Sequence, residues 1–257
     1  MTRITTLNIL LLLCFSSAVA QVEKIDTDRP DQTESAVLVP KKWVQLEFGL
    51  SKQENKPGDY EFQHPTLLSK YGISKRIEFR LITTLSTNHF YNDQLVTQKE
   101  SGLEPVEVGA KIALWEEKKW IPKTSFIFHF AIPKLASKEF RADKLAPNFR
   151  FTMQNSITDN IAIGYNLGAE WDGYSNEATW IYTFAPGFNI GKKWYGYIEA
   201  FGFISKQNEP EHSLDGGIAY YVTPDLKIDL SSGFGISNAA PDWYIAFGWS
   251  VRFKTGK

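Results

Sequence analysis

Apolar and polar residues alternate with a period of two through most of this chain. In the segment WVQLEFGL, Val44, Leu46 and Phe48 fall on one face of an extended chain, and Gln45 and Glu47 fall on the other. Successive side chains of a β-strand point to opposite sides, so the pattern predicts a strand with one apolar and one polar face. Its recurrence predicts about twelve such strands. They cover residues 43–50, 65–73, 76–85, 105–115, 123–132, 148–155, 161–172, 179–188, 195–204, 213–222, 226–236 and 243–253.

The connections between these strands alternate in length. Tight turns are predicted at residues 74–75, 116–120, 158–160, 191–193 and 223–225. Longer polar links are predicted at residues 51–62, 87–103 and 133–146. Short turns at one end, long links at the other and an even strand count are typical of an outer-membrane β-barrel. The alternative is a soluble β-sandwich or lipocalin-like barrel, which should turn its apolar residues inward and has no reason to sort its loops by length.

The alternation predicts which face of each strand meets lipid. Hydrocarbon offers no hydrogen-bond partners, so a spanning sheet must close on itself and turn its apolar side chains outward. Residues 42–257 are therefore predicted to form an all-β fold, a transmembrane antiparallel up-and-down β-barrel. Tryptophans near strand ends, such as Trp115 and Trp194, are typical of interfacial aromatic girdles, and ordinary packing is the alternative. In strand 195–204 both faces carry apolar residues, and the inward face stays undecided.

The first twenty residues read as a cleaved signal peptide. Arg3 supplies the positive start, residues 9–15 supply the apolar core, and residues 18–20 form a small-residue cleavage site before Gln21. A membrane anchor is the alternative, although the apolar run is too short to span a bilayer. Lipidation of Cys14, the one cysteine in the chain, would need a small residue where Leu13 stands.

Residues 21–41 are predicted to be a periplasmic leader, because barrels with an even strand count begin and end on the periplasmic side. Pro30 and Pro40 keep this stretch out of regular structure. It either folds back into the barrel mouth as a small plug or remains a solvated tail. The charged residues that would serve a plug are Asp26, Asp28, Arg29, Asp31 and Glu34.

Four stretches carry a resemblance to a known family: TDRPDQTES before the first strand, KYGISKRIEFRL, VEVGAKIALW and the closing PDWYIAFGWSVRF. Over residues 25–253 the chain resembles the outer-membrane proteins labelled as meta-pathway phenol-degradation proteins, a Bacteroidetes-type family of transporters. The resemblance implies an outer-membrane β-barrel in a Gram-negative bacterium, a transport role and a link to aromatic compounds. It implies no binding site and no catalytic motif.

Charged residues fall on the predicted inward face of most strands. Buried charges must be paired or hydrated, so they form either a salt-bridge lattice that fills the barrel or the wall of a polar channel. Inward glycines such as Gly109, Gly164 and Gly168 favour an open passage. Lys70 shares the inward face with the candidates. The lumen-lining candidates are Glu47, Glu78, Arg80, Glu107, Lys111, Arg150, Glu170, Glu199, Asp215, Lys227, Asp229 and Arg252.

An enzyme is not predicted. Ser125 and His129 share the inward face of one strand but stand about 13 Å apart at strand rise, too far for a nucleophile and its base. The four histidines show no metal-ligand spacing, so neither a metal nor another cofactor is expected. A formal net charge of −1 gives no basic footprint for nucleic acid.

The predicted function is a porin-like channel or transporter in the cell outer membrane, with both termini periplasmic, for passive passage of small molecules. Aromatic or hydrophobic compounds are one class of solute that the resemblance implies. The alternative is a barrel with a filled lumen that serves a structural or surface-binding role through its long loops. Expected partners are outer-membrane lipid, the barrel assembly machinery and a small solute.

Overall fold

The computed structural model describes residues 23–55, 58–92 and 95–256, so the predicted signal peptide lies outside the described residues. No helix in these ranges is long and apolar enough to cross a membrane. Two 3-10 helices, Pro133–Leu135 and Lys138–Phe140, follow the sixth strand. The strands are β1 Trp43–Asn55, β2 Asp59–Gly72, β3 Ile77–Asn92, β4 Leu95–Leu103, β5 Val106–Trp115, β6 Lys123–Ile132, β7 Ala146–Thr158, β8 Ile161–Glu170, β9 Thr179–Ile190, β10 Trp194–Ile204, β11 Glu211–Thr223, β12 Leu226–Gly235 and β13 Trp243–Lys254.

The sheet closes on itself, because the first strand, β1, pairs antiparallel with the last strand, β13, as well as with β2. β4 and β5 run one after the other along β3: Leu103 of β4 faces Leu85, and Glu107 of β5 faces Ile82. Taken as one interrupted strand they complete a ring of twelve antiparallel neighbours among the described residues. The predicted all-β, twelve-strand barrel is confirmed.

Two of the three long links are shorter than predicted. β1 and β2 continue to Asn55 and from Asp59, and β3 and β4 occupy most of residues 87–103 as a hairpin. The sequence hides these extensions because a strand that projects beyond the lipid has polar residues on both faces. The third link, predicted at residues 133–146, is present and contains the two 3-10 helices.

The two faces of the wall follow the predicted alternation. Gln45 and Glu47 are each 1% exposed, whereas outward residues such as Trp180 remain 60% exposed on the protein surface. β10 is resolved by the fold: Tyr197 and Phe201 point inward and are buried, and Ile198 between them is outward. A hydrophobic residue on this strand can therefore point into the barrel or away from it, and its hydrophobicity does not predict which.

The N-terminal segment, defined here as residues 23–41, lies inside the barrel. It enters at the end that carries the short turns, where the backbone N–H of Ile25 donates to the carbonyl of Pro224 at 2.7 Å. It leaves at the same end, where the N–H of Lys42 donates to the carbonyl of Gly72 at 2.8 Å. Ile25, Ala36 and Val39 are almost fully buried.

Candidate functional site in the barrel interior

Asp28 is the centre of the contacts between the N-terminal segment and the wall. Its Oδ2 accepts from Lys70 Nζ and Arg80 Nη1, both at 2.8 Å, and its Oδ1 lies 3.0 Å from Lys111 Nζ. The Asp28 N–H donates to Glu47 Oε2 at 3.0 Å. Burial alone would raise the pKa of Asp28, but the charges of Lys111, Lys70 and Arg80 outweigh it and hold that pKa well below its usual range. Asp28 is therefore a buried carboxylate that three strands neutralise.

Arg80 of β3 uses its guanidinium in four directions. Besides Asp28, Nη1 donates to Glu78 at 3.1 Å, and Nη2 donates to Glu34 at 2.6 Å. Its Nε donates to Nε2 of His129 at 3.0 Å. Arg80 therefore joins the wall to the N-terminal segment, because its donors bond acceptors on both.

A second set of contacts holds residues 32–34 against the opposite wall. Thr33 Oγ1 donates to Glu199 Oε1 at 2.6 Å and lies 2.6 Å from Thr183 Oγ1. The Glu34 N–H donates to Asn166 Oδ1 at 2.7 Å, and Asn166 Nδ2 returns a bond to the Glu34 carbonyl at 3.0 Å. The segment thus contacts walls on both sides of the barrel.

Arg29 lies in a notch between two wall strands. Gly49 of β1 and Gly248 of β13 are register partners, and a Cβ on either would overlap the Arg29 side chain. Arg29 Nη2 pairs with Asp229 Oδ1 at 3.0 Å, and the Arg29 carbonyl accepts from Lys227 Nζ at 2.6 Å. The glycine pair therefore makes the room that this side chain needs.

The predicted lumen-lining residues divide by what they contact. Glu107 lies 3.7 Å from His129, Glu170 lies 3.8 Å from Arg150, and Asp215 accepts from Tyr197 and Tyr244. The other candidates bond the N-terminal segment directly. They are Glu47, Glu78, Arg80, Lys111, Arg150, Glu199, Lys227, Asp229 and Arg252.

The lumen-lining residues predicted from the sequence are all charged, but uncharged polar residues also bond the N-terminal segment. Gln45 donates to the Asp26 carbonyl at 2.7 Å, and Ser125 donates to the Ala36 carbonyl at 2.7 Å. Both stand at inward positions of their strands, so the alternation could have found them. Their partner atoms in the segment could not be read from the sequence.

The interpretation that inward glycines leave an open passage is wrong for the three positions named above. At Gly109 the space is filled by the ring of His129, and at Gly168 by the side chain of Arg150. At Gly164 a Cβ would meet Thr33 Cγ2 at 3.0 Å. Glycine makes room here for neighbouring side chains and for the N-terminal segment.

Among the described residues the interior has a cavity on each side of the segment. The cavity at the short-turn end measures about 270 Å³ and is lined by Asp159, Asn189 and Tyr221, among others. The cavity at the long-loop end measures about 590 Å³. Arg29 and Asp31 line both cavities. Burial raises the pKa of Asp31 to about 8, since Asp215 and Asp26 add to the effect while Lys227 opposes it.

Among the described residues no group of three or more His, Cys, Asp or Glu side chains is placed to hold a metal ion. Ser125 and His129 are each engaged elsewhere, Ser125 with the Ala36 carbonyl and His129 with Arg80. The interior thus presents charged and polar groups around a folded segment.

Solved structures with a similar fold include outer-membrane channels and porins. An outer membrane channel from Pseudomonas putida F1 matches with a TM-score of 0.69 and 8% identity, over 90% of this chain and 100% of that chain. The KdgM porin matches with a TM-score of 0.54 and 10% identity, over 81% and 99%. The NanC porin matches with a TM-score of 0.52 and 12% identity, over 81% and 98%. At these identities the likeness establishes the fold.

A comparison with curated protein sequences finds no match. A family sequence pattern, by contrast, matches residues 27–253 and so spans the barrel and most of the segment inside it. The chain belongs to the family described as "Putative MetA-pathway of phenol degradation".

Proposed function

We propose that this protein is an outer-membrane channel for the passive passage of small molecules, with the N-terminal segment as a plug inside its lumen. Both termini and the short turns lie in the periplasm under this proposal, and the long loops face outside. The barrel fold, shared with channels and porins, supports it. The family description makes small aromatic compounds the first solutes to test.

One observation carries the proposal: the segment separates two cavities that together follow the barrel axis. It is held through polar contacts such as Thr33 with Glu199 and Glu34 with Asn166. Water can replace such hydrogen bonds, so each contributes only about 0.5–1.5 kcal/mol net. The part of the segment outside the Asp28 cluster can therefore leave its place without unfolding the wall.

A disulfide lock tests the proposal. Thr33 and Thr183 have their Oγ1 atoms 2.6 Å apart, so the double variant Thr33→Cys/Thr183→Cys can join the segment to β9. In planar bilayers the oxidised barrel should lose conductance and regain it with a reductant. The matched control is Thr66→Cys/Thr84→Cys, whose Oγ1 atoms lie 3.3 Å apart and which would join two wall strands, β2 and β3, to each other. Equal conductance in both redox states of the lock would refute the plug.

The second candidate function is a barrel with a filled lumen in a structural or surface-binding role. The packed cluster of Asp28, Lys70, Arg80 and Lys111 favours it, since such charges are costly to separate. It requires that the folded barrel, with the engineered disulfide reduced, shows no conductance in bilayers and no uptake in solute-swelling assays. The channel proposal requires measurable conductance from the same sample.

The proposal assigns no catalytic activity to the barrel. Ser125 and His129 are occupied by structural contacts and do not contact each other. Outer-membrane lipid would surround the outward apolar face, and the barrel assembly machinery would insert the chain. These partners follow from the proposed location.

A further inference from the structure

The cavity at the long-loop end has an aromatic wall. We name it the aromatic vestibule and define it by Phe201, Phe203, Tyr244, Ser231 and the acidic residues given below. The rings of Phe201 and Phe203 meet edge to face, with centroids 6.1 Å apart at 82°. Phe201 and Tyr244 pack together with Ala246 as a buried cluster. The volume of about 590 Å³ lies within the range of small-molecule sites.

The same cavity is acidic. Among the described residues that line it, Arg29 is the only basic one, and Arg29 is already paired with Asp229 at 3.0 Å. Arg150 reaches Glu170 from outside the lining at 3.8 Å. A cleft lined by one sign of charge between low-dielectric walls concentrates ions of the opposite sign. Asp31 also lines the cavity, but with a pKa of about 8 it is mostly uncharged at neutral pH, so the acidic lining consists of Glu61, Glu170 and Glu211.

A separate observation points to a ligand. Ser231 is 2% exposed and lines the vestibule, yet its Oγ accepts no hydrogen bond from the described residues. Buried polar groups are normally satisfied, so an open acceptor beside aromatic rings fits a ligand that carries a donor.

We propose that the aromatic vestibule binds small aromatic cations of the arylalkylamine class. The ligand's ring packs against Phe201, Phe203 and Tyr244, and its ammonium group donates to Ser231 and faces the acidic lining. Aromatic faces and carboxylates both attract a cation, and an aromatic carboxylate is repelled. This inference rests on the proposed channel function, since the vestibule would be the first site that an entering solute meets.

Three ligands that share one ring test the inference: benzylamine, benzyl alcohol and benzoate. Binding is measured by calorimetry on the full mature chain in lipid nanodiscs, with empty nanodiscs as the reference. We expect benzylamine to bind about tenfold more tightly than benzyl alcohol, and benzoate to bind least. Equal affinities, or tightest binding of benzoate, would overturn the inference without any variant.

Two variants locate the site. Glu170→Gln/Glu211→Gln should weaken benzylamine about tenfold and leave benzyl alcohol unchanged. The matched control, Asp159→Asn, removes a charge that lines the other cavity and should change neither ligand. Phe201→Leu should weaken both benzylamine and benzyl alcohol, because it removes the ring contact. If the control weakens benzylamine as much as the double variant does, the site is elsewhere and the inference fails.

The inference and the channel proposal can fail separately. The oxidised Thr33→Cys/Thr183→Cys barrel should still bind benzylamine, because the vestibule lies on the outer side of the locked segment. A barrel that conducts when reduced but binds the three ligands alike defeats the inference alone. A barrel that prefers benzylamine but never conducts defeats the channel proposal and leaves a surface-binding barrel.

Discussion

Arg80 of β3 and Asp28 of the N-terminal segment form an ion pair with Nη1 and Oδ2 2.8 Å apart, and their side chains are 0% and 5% exposed. The pair joins the barrel wall to a stretch that precedes the first strand. Lys70 and Lys111 reach the same carboxylate. Removing one partner of a buried pair is costly, typically about 3–5 kcal/mol, because the other charges remain buried without compensation.

Asp28→Asn should therefore loosen the segment. The amide keeps the shape of the side chain but leaves Lys70, Arg80 and Lys111 short of one negative charge. The readout is the rate at which a maleimide labels a cysteine placed at Ala36, which is 1% exposed. We expect faster labelling than in the parent carrying Ala36→Cys alone. Asp26→Asn is the control, since the side chain of Asp26 is exposed and only its carbonyl is bonded; faster labelling there as well would contradict the assigned role.

Gly49→Ala should displace Arg29 from its notch. The added Cβ would lie 2.9 Å from Arg29 Cζ, and its three nearest atoms all belong to the Arg29 side chain, so the clash falls first on the segment. Overpacking of this kind costs about 1–3 kcal/mol. We expect faster labelling at position 36 with an unchanged barrel circular-dichroism spectrum. Gly196→Ala is the matched control, because its Cβ would meet nothing closer than 3.7 Å; an equal effect there would show a general loss of stability.

The stability of the folded chain should depend on pH through Asp31. Its pKa is raised to about 8, so the folded state holds a proton that the unfolded state releases near its ordinary value of about 4. That contribution is present below about pH 4 and is lost as the pH rises towards 8. Relative to Asp31→Asn, wild-type stability should fall across this window and level off above it. A constant difference between the two proteins from pH 5 to 9 would exclude the shift.

Phe128→Arg should block assembly or cost about 2–4 kcal/mol, as a charge near the bilayer midplane does. His129→Gln, one residue away, should be milder because an amide oxygen can still accept from Arg80 Nε. From its inward position alone, His129→Arg would also be expected to be mild. The structure argues against this, because Arg80 Nε lies 3.0 Å from His129 Nε2 and would repel a second guanidinium there. Heat-modifiable migration on gels measures folded barrel, and equal damage from Phe128→Arg and His129→Gln would contradict the assigned faces.

The proposed orientation predicts which positions can be labelled on intact cells. Cysteines at residues 138 and 139, in the link between β6 and β7, should react with a membrane-impermeant maleimide. Cysteines at residues 75, 118 and 192, in the short turns, should react only after the outer membrane is opened. The reverse pattern would invert the barrel and place the aromatic vestibule in the periplasm.

The sequence predicted the wall well because one period governs it. Gln45 and Glu47 point inward and Val44 and Leu46 outward because successive side chains of a strand alternate between its two faces, which is a local property of the chain. The alternation does not predict the inward face of a strand such as β10, where both faces carry apolar residues. Tyr197 packs inside and Ile198 faces outward, and hydrophobicity alone cannot separate them.

The interior was less predictable because its contacts are remote in sequence. Thr33 meets Thr183 across 150 positions, and Arg29 pairs with Asp229 across 200. No local pattern encodes such pairs. Acidic residues in the opening stretch and basic residues on the inward face could be seen to complement each other, but not which atom would meet which.

Both ends of the N-terminal segment are held at the same rim of the barrel, Ile25 by Pro224 and Lys42 by Gly72. A loop that is tethered twice cannot diffuse away when it leaves its place. Its return is a unimolecular step with an effective concentration in the millimolar range, as for short flexible tethers. Under the proposed function, a solute that passes the barrel competes with an occupant that is always present, and its flux depends on how long that occupant is displaced.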